Sequence, residues 1–373
     1  MREAKMQSFI QELLEPAGIT LNGDQPCDPQ IHNAETYGRI LHQGSLGLGE
    51  AYMDGWWDCE RLDDFFYRVL RHGVQNRVPL NWKQMLFYLS NVVVNPQSPK
   101  RAYEVGRRHY DIGNDLYQAM LDASMNYSCG YWREADDLET AQRHKMDLIC
   151  RKLQLEAGQT LLDIGCGWGG LLRYAAEQYG VRGVGVTISE QQADWAREHG
   201  EGWPIEIVMD DYRHIEGEFD RVVSVGMFEH VGYKNYETFM ETVQRCIKQD
   251  GLFLLHTIGS NHSSRCTDPW LGTYIFPNSM LPSMRQIDEA AEDRFVMEDW
   301  HNFGADYDHT LMAWYANFEH HWPELKQKYD ERFYRMWRYY LHCCAGGFRA
   351  RHIQLWQIVF SPRGLEGGYR SVR

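Results

Sequence analysis

The apolar positions of this chain change rhythm along its length. From about residue 5 to 95 they recur at helical spacing, with no strand between helices. Residues 7–14 predict a short helix that stops before Pro16. Residues 37–41 lead through Gly44 into an aromatic helix near Trp57, and 62–70 continue the helical pattern. These define a small, mainly helical first domain, 1–95, in which Met and Trp are expected in the core. Pro96, Ser98 and Pro99 then mark a linker, set at 96–108. From residue 160 the rhythm alternates. Strands at 160–164, 181–188, 205–209, 220–225 and 251–258 are separated by helices at 169–179, 189–198 and 236–248. That alternation predicts an α/β fold with a Rossmann-like, doubly wound parallel sheet. After 258 it loosens into a proline- and aromatic-rich insertion, 260–285, expected to cap the site. A strand at 295–301, helices at 310–321 and 331–341, and a last strand at 354–360 complete a second domain set at 109–373. The last strand is expected antiparallel at the sheet edge.

In such sheets ligands lie beyond the C-terminal ends of the strands. The topology therefore gathers Asp163, Thr187, Asp210 or Asp211, Glu229 and His256 on one rim. The first strand runs into Asp163-Ile-Gly-Cys-Gly-Trp-Gly169. Glycines let the backbone pass close to a ligand, and the following helix N-terminus offers N–H groups. The acid precedes the glycines, which suits a ligand bearing an ammonium and a sulfonium better than a pyrophosphate. We read it as the S-adenosylmethionine (SAM) turn of a class I methyltransferase, with Asp163 in contact with SAM. For the turn alone, a dinucleotide site or an unliganded tight turn remain as alternatives. Ahead of a helix at 138–153 stands Asn126-Tyr-Ser-Cys-Gly-Tyr-Trp132, a loop able to fold over the cofactor. Cys129 has no base beside it in sequence and reads as a structural thiol before a nucleophile.

Composition narrows the setting. The 373 residues are 43% hydrophobic and 24% charged, enough for two domains and a sizeable core. Nine Cys without CxxC pairs or a secretory leader fit reduced thiols and neither a disulfide nor a zinc framework, so a cytoplasmic protein without metal is expected. The net charge of −14 argues against general affinity for nucleic acid or anionic lipid. Membrane contact must then be local. Lys100, Arg101, Arg107 and Arg108 fall roughly on one side of a helix, as a headgroup contact or a solvated face. The 13% aromatic content fits a deep apolar pocket or simply an aromatic core.

Nearly the whole chain resembles the bacterial cyclopropane-fatty-acyl-phospholipid synthases and, more distantly, the mycolic acid cyclopropane synthases. The resemblance rests on Gly44-Ser-Leu-Gly-Leu-Gly-Glu50 and Tyr52-Met-Asp-Gly-Trp-Trp57 in the first domain. In the second it rests on His109-Tyr-Asp-Ile-Gly-Asn-Asp115, Tyr127-Ser-Cys-Gly-Tyr-Trp132, the glycine turn, Gly226-Met-Phe-Glu-His-Val-Gly232, Leu255-His-Thr-Ile-Gly259, Phe303-Gly-Ala-Asp-Tyr307 and Phe348-Arg-Ala-Arg351. It implies transfer of the SAM methyl carbon to a cis double bond of a phospholipid acyl chain, with formation of a cyclopropane ring. It also implies SAM contacts at Tyr127, Ser128, Gly165, Gly167, Thr187, Ile188, Gln192, Asp211 and Tyr212. Many class I enzymes carry a ribose-binding acid where this chain has Thr187-Ile-Ser189, so Gln192 is expected to take that role. The resemblance further implies a bicarbonate ion held by Cys129, Glu229, His256, Ile258 (backbone) and Tyr307, together with a homodimer and peripheral contact with the inner face of the membrane. A C-terminal cysteine maps to Cys344, which we read as a packing residue. Two other readings compete: a methyltransferase acting on a lipid amine or small molecule, and a SAM-binding protein without chemistry.

Overall fold

The computed structural model describes residues 2–77 and 113–373. The expected linker and the basic set Lys100, Arg101, Arg107 and Arg108 lie outside the described residues. The chain forms two compact units, and the division is not a single cut. Segments 265–277 and 307–353 cluster with the N-terminal helices, while 278–306 and 354–373 belong with the sheet. The expected insertion at 260–285 is therefore split between the units.

The first unit is mainly helical. Arg2–Leu14, Glu35–Gln43, Ser45–Met53 and Leu62–Arg71 come from the N-terminal region, joined by β1 (Gln30–Ile31) and β2 (Trp57–Asp58), an antiparallel pair. The long helix Glu331–Arg349 packs among them. Asp330 starts it by accepting the Phe333 N–H at 2.7 Å. Small residues set the closeness of the packing. A Cβ on Gly346 would stand 2.7 Å from Phe66 Cβ, and one on Gly49 would stand 2.3 Å from the buried Trp270 ring. Trp270 comes from Pro269–Tyr274, so this part of the expected insertion is a core element of the helical unit. Its ring contacts Tyr339, which in turn meets Tyr52 and Phe66.

The second unit is built on a seven-stranded sheet. Its strands are β3 (Thr160–Ile164), β4 (Arg182–Thr187), β5 (Ile205–Met209), β6 (Phe219–Val225), β7 (Ile247–Ser260), β8 (Val296–Asn302) and β9 (Ile353–Ser361). Their order is β5-β4-β3-β6-β7-β9-β8, with β3 to β7 parallel and β8 antiparallel to β9. The order reverses at β3, with β4 on one side and β6 on the other, which places the crevice there. Helices Leu138–Lys152, Gly170–Tyr179, Glu190–His199 and Tyr236–Cys246 connect or cover the strands. Capping explains two helix starts: Asp137 accepts from Thr140 N, and Ser189 from Gln192 N. The last strand corrects the sequence expectation, because β9 lies inside the sheet and β8 is the edge. The reason is burial. After Ile353 every residue of β9 is buried, whereas Val296 and Met297 of β8 are exposed.

Candidate active site

The glycine turn follows directly from β3. Gly165, Gly167 and Gly169 all have positive φ, at 87°, 54° and 75°. The N–H groups of Gly165 and Cys166 both donate to the Val186 carbonyl, at 2.9 and 3.0 Å, tying the turn to β4. Gly165 cannot carry a side chain, since a Cβ would meet Met227 at 2.7 Å. At Gly167 a Cβ would meet nothing within 4 Å. The turn is thus closed on its inner side and open at its tip.

Asp163 is 2% exposed, and its Oδ1 has no hydrogen-bond partner among the described residues. Burial pushes its carboxyl up to about 7, opposed by the nearby Lys145 ammonium. Lys145 is also fully buried. It donates to Asn126 Oδ1 at 2.8 Å and Ser128 Oγ at 3.1 Å, and burial lowers it to about 8. Gln142, one helical turn earlier, donates to the Ser128 carbonyl at 2.8 Å, while Asp122 accepts from the Asn126 backbone and side chain. These contacts fix the Tyr127–Ser128 loop beside the turn, and the Tyr127 ring meets Tyr117 edge-on at 5.1 Å.

Along β4 and β5 the remaining expected cofactor residues sit at strand ends. The Thr187 hydroxyl donates to Gln192 Oε1 at 3.0 Å, which turns the amide NH2 end away from Thr187. Ile188 lies between Thr187 and the capping Ser189. Asp211 caps the next turn, accepting from Arg213 N and Nε at 3.0 and 2.9 Å. Tyr212 is buried beneath the Arg213 guanidinium, which lies 5.1 Å from the ring centre.

A second polar group forms at the ends of β6 and β7. Val225, the last residue of β6, pairs with His256 on β7. Glu229, just beyond β6, accepts the Ile258 N–H at 2.6 Å on Oε1, while its buried Oε2 has no partner among the described residues. Burial raises Glu229 to about 7. His256 is 1% exposed, and its Nδ1 is 3.2 Å from Gln357 Nε2 on β9. Its Nε2 is also without a partner among the described residues. Burial, then Lys145, Lys152 and His301, push His256 well below its ordinary value, so the ring is neutral. Cys129 is fully buried, with Sγ 3.1 Å from the Gly130 carbonyl.

The structure thus brings Tyr127, Ser128, Cys129, Asp163, Gly165, Gly167, Thr187, Ile188, Gln192, Asp211, Tyr212, Glu229, His256 and Ile258 into one unit. Tyr307 and Cys344 belong to the helical unit, where Tyr307 stacks on Phe348 at 4.4 Å. Sequence reasoning missed Asn126, Gln142, Lys145 and Gln357. A signal existed for three of them. Gln142 and Lys145 fall on the buried stripe of their helix with Ala141, Leu148 and Ile149, and Gln357 interrupts an apolar strand.

Buried, unpaired acceptor and donor atoms at the C-terminal ends of parallel strands, next to an open glycine turn, suit a cationic cofactor and a small polar ligand. The family profile described as mycolic acid cyclopropane synthetase matches residues 97–358. A cyclopropane-fatty-acyl-phospholipid synthase of Escherichia coli K12 is 57% identical over 365 residues, covering 98% of this chain and 95% of that protein. The solved mycolic acid cyclopropane synthase CmaA1, complexed with SAH and CTAB, is 31% identical with a TM-score of 0.64, covering 69% of this chain and 97% of that one. Coclaurine N-methyltransferase, 20% identical with a TM-score of 0.68 and covering 84% of this chain and 98% of its own, shares the fold. The chain accordingly belongs to the SAM-dependent enzyme family of the cyclopropane-fatty-acyl-phospholipid and mycolic acid cyclopropane synthases.

Proposed function

We propose that this chain moves the methyl carbon of SAM onto a cis double bond of an unsaturated phospholipid acyl chain and closes a cyclopropane ring, with bicarbonate as the base. The observation that carries this reading is that Glu229 Oε2 and His256 Nε2, at the ends of β6 and β7, are both buried without a partner among the described residues. Buried polar atoms normally have partners, and a small polar ligand would supply them here.

SAM fits the turn. The unpaired Asp163 Oδ1 suits its ammonium group, and the open tip at Gly167 lets its chain pass close to the backbone. Thr187, Ile188 and Gln192 would hold the ribose side, Asp211 and Tyr212 the adenine side, and Tyr127 and Ser128 would close over it. Within the sheet unit, Glu229, His256, the Ile258 backbone and Cys129 would hold bicarbonate; when bound it would supply a weak base near the new methyl group.

An isolated alkene is a weak nucleophile, so the residues must hold it in line with the sulfonium methyl in a dry site. Methyl transfer leaves a carbocation, and one proton must leave the new methyl group before the ring closes. Glu229, with one oxygen fixed by Ile258 and a value near neutrality, is suited to hold or release a proton at Oε2. His256, neutral, offers Nε2 for a single hydrogen bond.

Among the described residues no helix is long and apolar enough to cross a membrane. We read the chain as cytoplasmic, reversibly bound to the inner face of the membrane, and dimeric.

Mass spectrometry of phospholipids after incubation with SAM and cis-unsaturated vesicles tests the function. The acyl chain is expected to gain one CH2 and lose its double bond. A methyl group on the headgroup instead would identify an amine methyltransferase.

A further inference from the structure

Among the described residues, the side chain hydrogen-bonded to His256 is Gln357. The two residues lie on β7 and β9, which are neighbours in the sheet. Both are buried to 1% exposure or less. Gln357 Nε2 lies 3.2 Å from His256 Nδ1, while His256 Nε2 and Gln357 Oε1 have no partner among the described residues. On the opposite side β9 pairs with β8, with His301 directly across from Gln357. His301 accepts from the buried Lys152 ammonium, whose Nζ is 3.0 Å from His301 Nδ1. Asp299, further along β8, holds Arg373 at 2.6 Å. Burial above all, and then Lys145, Lys152 and His301, keep the His256 ring neutral.

A neutral imidazole carries one proton, and its site is set by whatever bonds the other nitrogen. An amide NH2 can only donate, so beside Nδ1 it forces the proton onto Nε2. The opposite amide orientation would put the proton on Nδ1 and leave Nε2 as an acceptor. An acceptor there would oppose an anionic ligand. A donor complements it.

We propose that Gln357 is a positioning residue that sets the tautomer of His256, donating its amide N–H to Nδ1 so that Nε2 carries the proton as a hydrogen-bond donor. The tautomer assignment stands on the geometry, while its use in turnover rests on the proposed anion site. Removing the amide donor frees the proton to move between the two nitrogens. Replacing it with a carboxylate, which only accepts, draws the proton to Nδ1. The buried stem and shape stay nearly the same in both cases.

The test is 15N NMR of the full-length protein labelled at histidine, with the His256 signals assigned by their loss in His256→Gln. Wild-type protein is expected to show the Nε2–H tautomer. Gln357→Glu is expected to move the proton to Nδ1, and Gln357→Met to give a mixture. Thermal melts establish that each variant is folded. Should the carboxylate variant fail to fold, Gln357→Met together with the wild-type spectrum still decides the matter. A wild-type Nδ1–H signal, or a tautomer unchanged in a folded Gln357→Met, overturns the proposal. In turnover with SAM and cis-unsaturated vesicles, Gln357→Glu is expected to lose on the order of 100-fold in kcat, with SAM affinity by calorimetry unchanged. A tautomer that switches while kcat stays at the wild-type level would uphold Gln357 as the tautomer-setting group and remove His256 from the reaction. The two failures are thereby told apart.

Discussion

Two aspartates buried to 1% and 2% exposure show how differently the units use charge. In the helical unit Asp63 is clamped by Arg61, with both nitrogens at 3.1 Å, and by Arg349 at 2.8 Å. Arg349 also grips Asp308 with two bonds, at 2.7 and 2.9 Å. Although burial alone would raise it, the two guanidinium groups hold Asp63 well below the usual carboxylate range. In the sheet unit Asp163 keeps an unpaired oxygen and is driven up to about 7 by burial. Glu229 repeats that pattern. A buried acid with all its partners serves the fold. A buried acid lacking a partner costs stability, and that cost is tolerated where a ligand will offset it.

The contrast is broken most strongly by removing a clamp. Arg349→Leu leaves both Asp63 and Asp308 short of a partner. It is expected to lower stability by about 3–5 kcal/mol in denaturant melts, while folded protein binds SAM normally. Glu229→Gln tests the other side. Turnover should fall by on the order of 100-fold or more, with unchanged SAM affinity and no loss of stability. Near-normal turnover would remove Glu229 from the site. Asp163→Ala should weaken SAM binding by about 1.5–3 kcal/mol in calorimetry and leave the melting temperature level or higher. Unchanged affinity would end the reading of the glycine turn.

The contrast also shows in pH. Asp163 has a folded value raised above its ordinary 3.8, so between about 4 and 7 the native state holds the extra proton. Without ligand, its contribution to stability therefore falls as pH rises through that window. Asp63 behaves oppositely: its folded value is depressed, so its contribution is present above 3.8 and lost as pH falls below it. Asp163→Asn should flatten the stability profile between about 4 and 7 without touching the acid limb. Loss of the acid limb instead would mean the roles of the two acids are reversed.

Much of this was legible in the sequence because parallel strands announce themselves. The strand expected at 205–209 is β5 to the residue, and those expected at 160–164 and 220–225 are β3 and all but the first residue of β6. Period and strand-end rules put Asp163, Thr187, Glu229 and His256 at strand ends from the sequence alone. What escaped had a physical reason. Local pattern tells whether a position is buried but not which distant strand covers it, so the sequence points β9 to the edge when it lies inside. The return of 307–353 to the N-terminal helices is a long-range packing choice made by Gly346, Phe66 and Arg349, with no mark in local periodicity. Lys145 and Gln357 looked like interruptions of apolar stripes; only their partners, Ser128 and His256, give them meaning.

The central claim is that one proton leaves the transferred methyl group as a ring closes on the acyl chain. Incubating the protein with cis-unsaturated phospholipid vesicles and SAM carrying a fully deuterated methyl group tests it directly. The account predicts a product in which the double bond is replaced by a bridging CD2, with one deuteron released to solvent. A CD3 group retained intact, whether on the acyl chain or on a headgroup nitrogen, would contradict it.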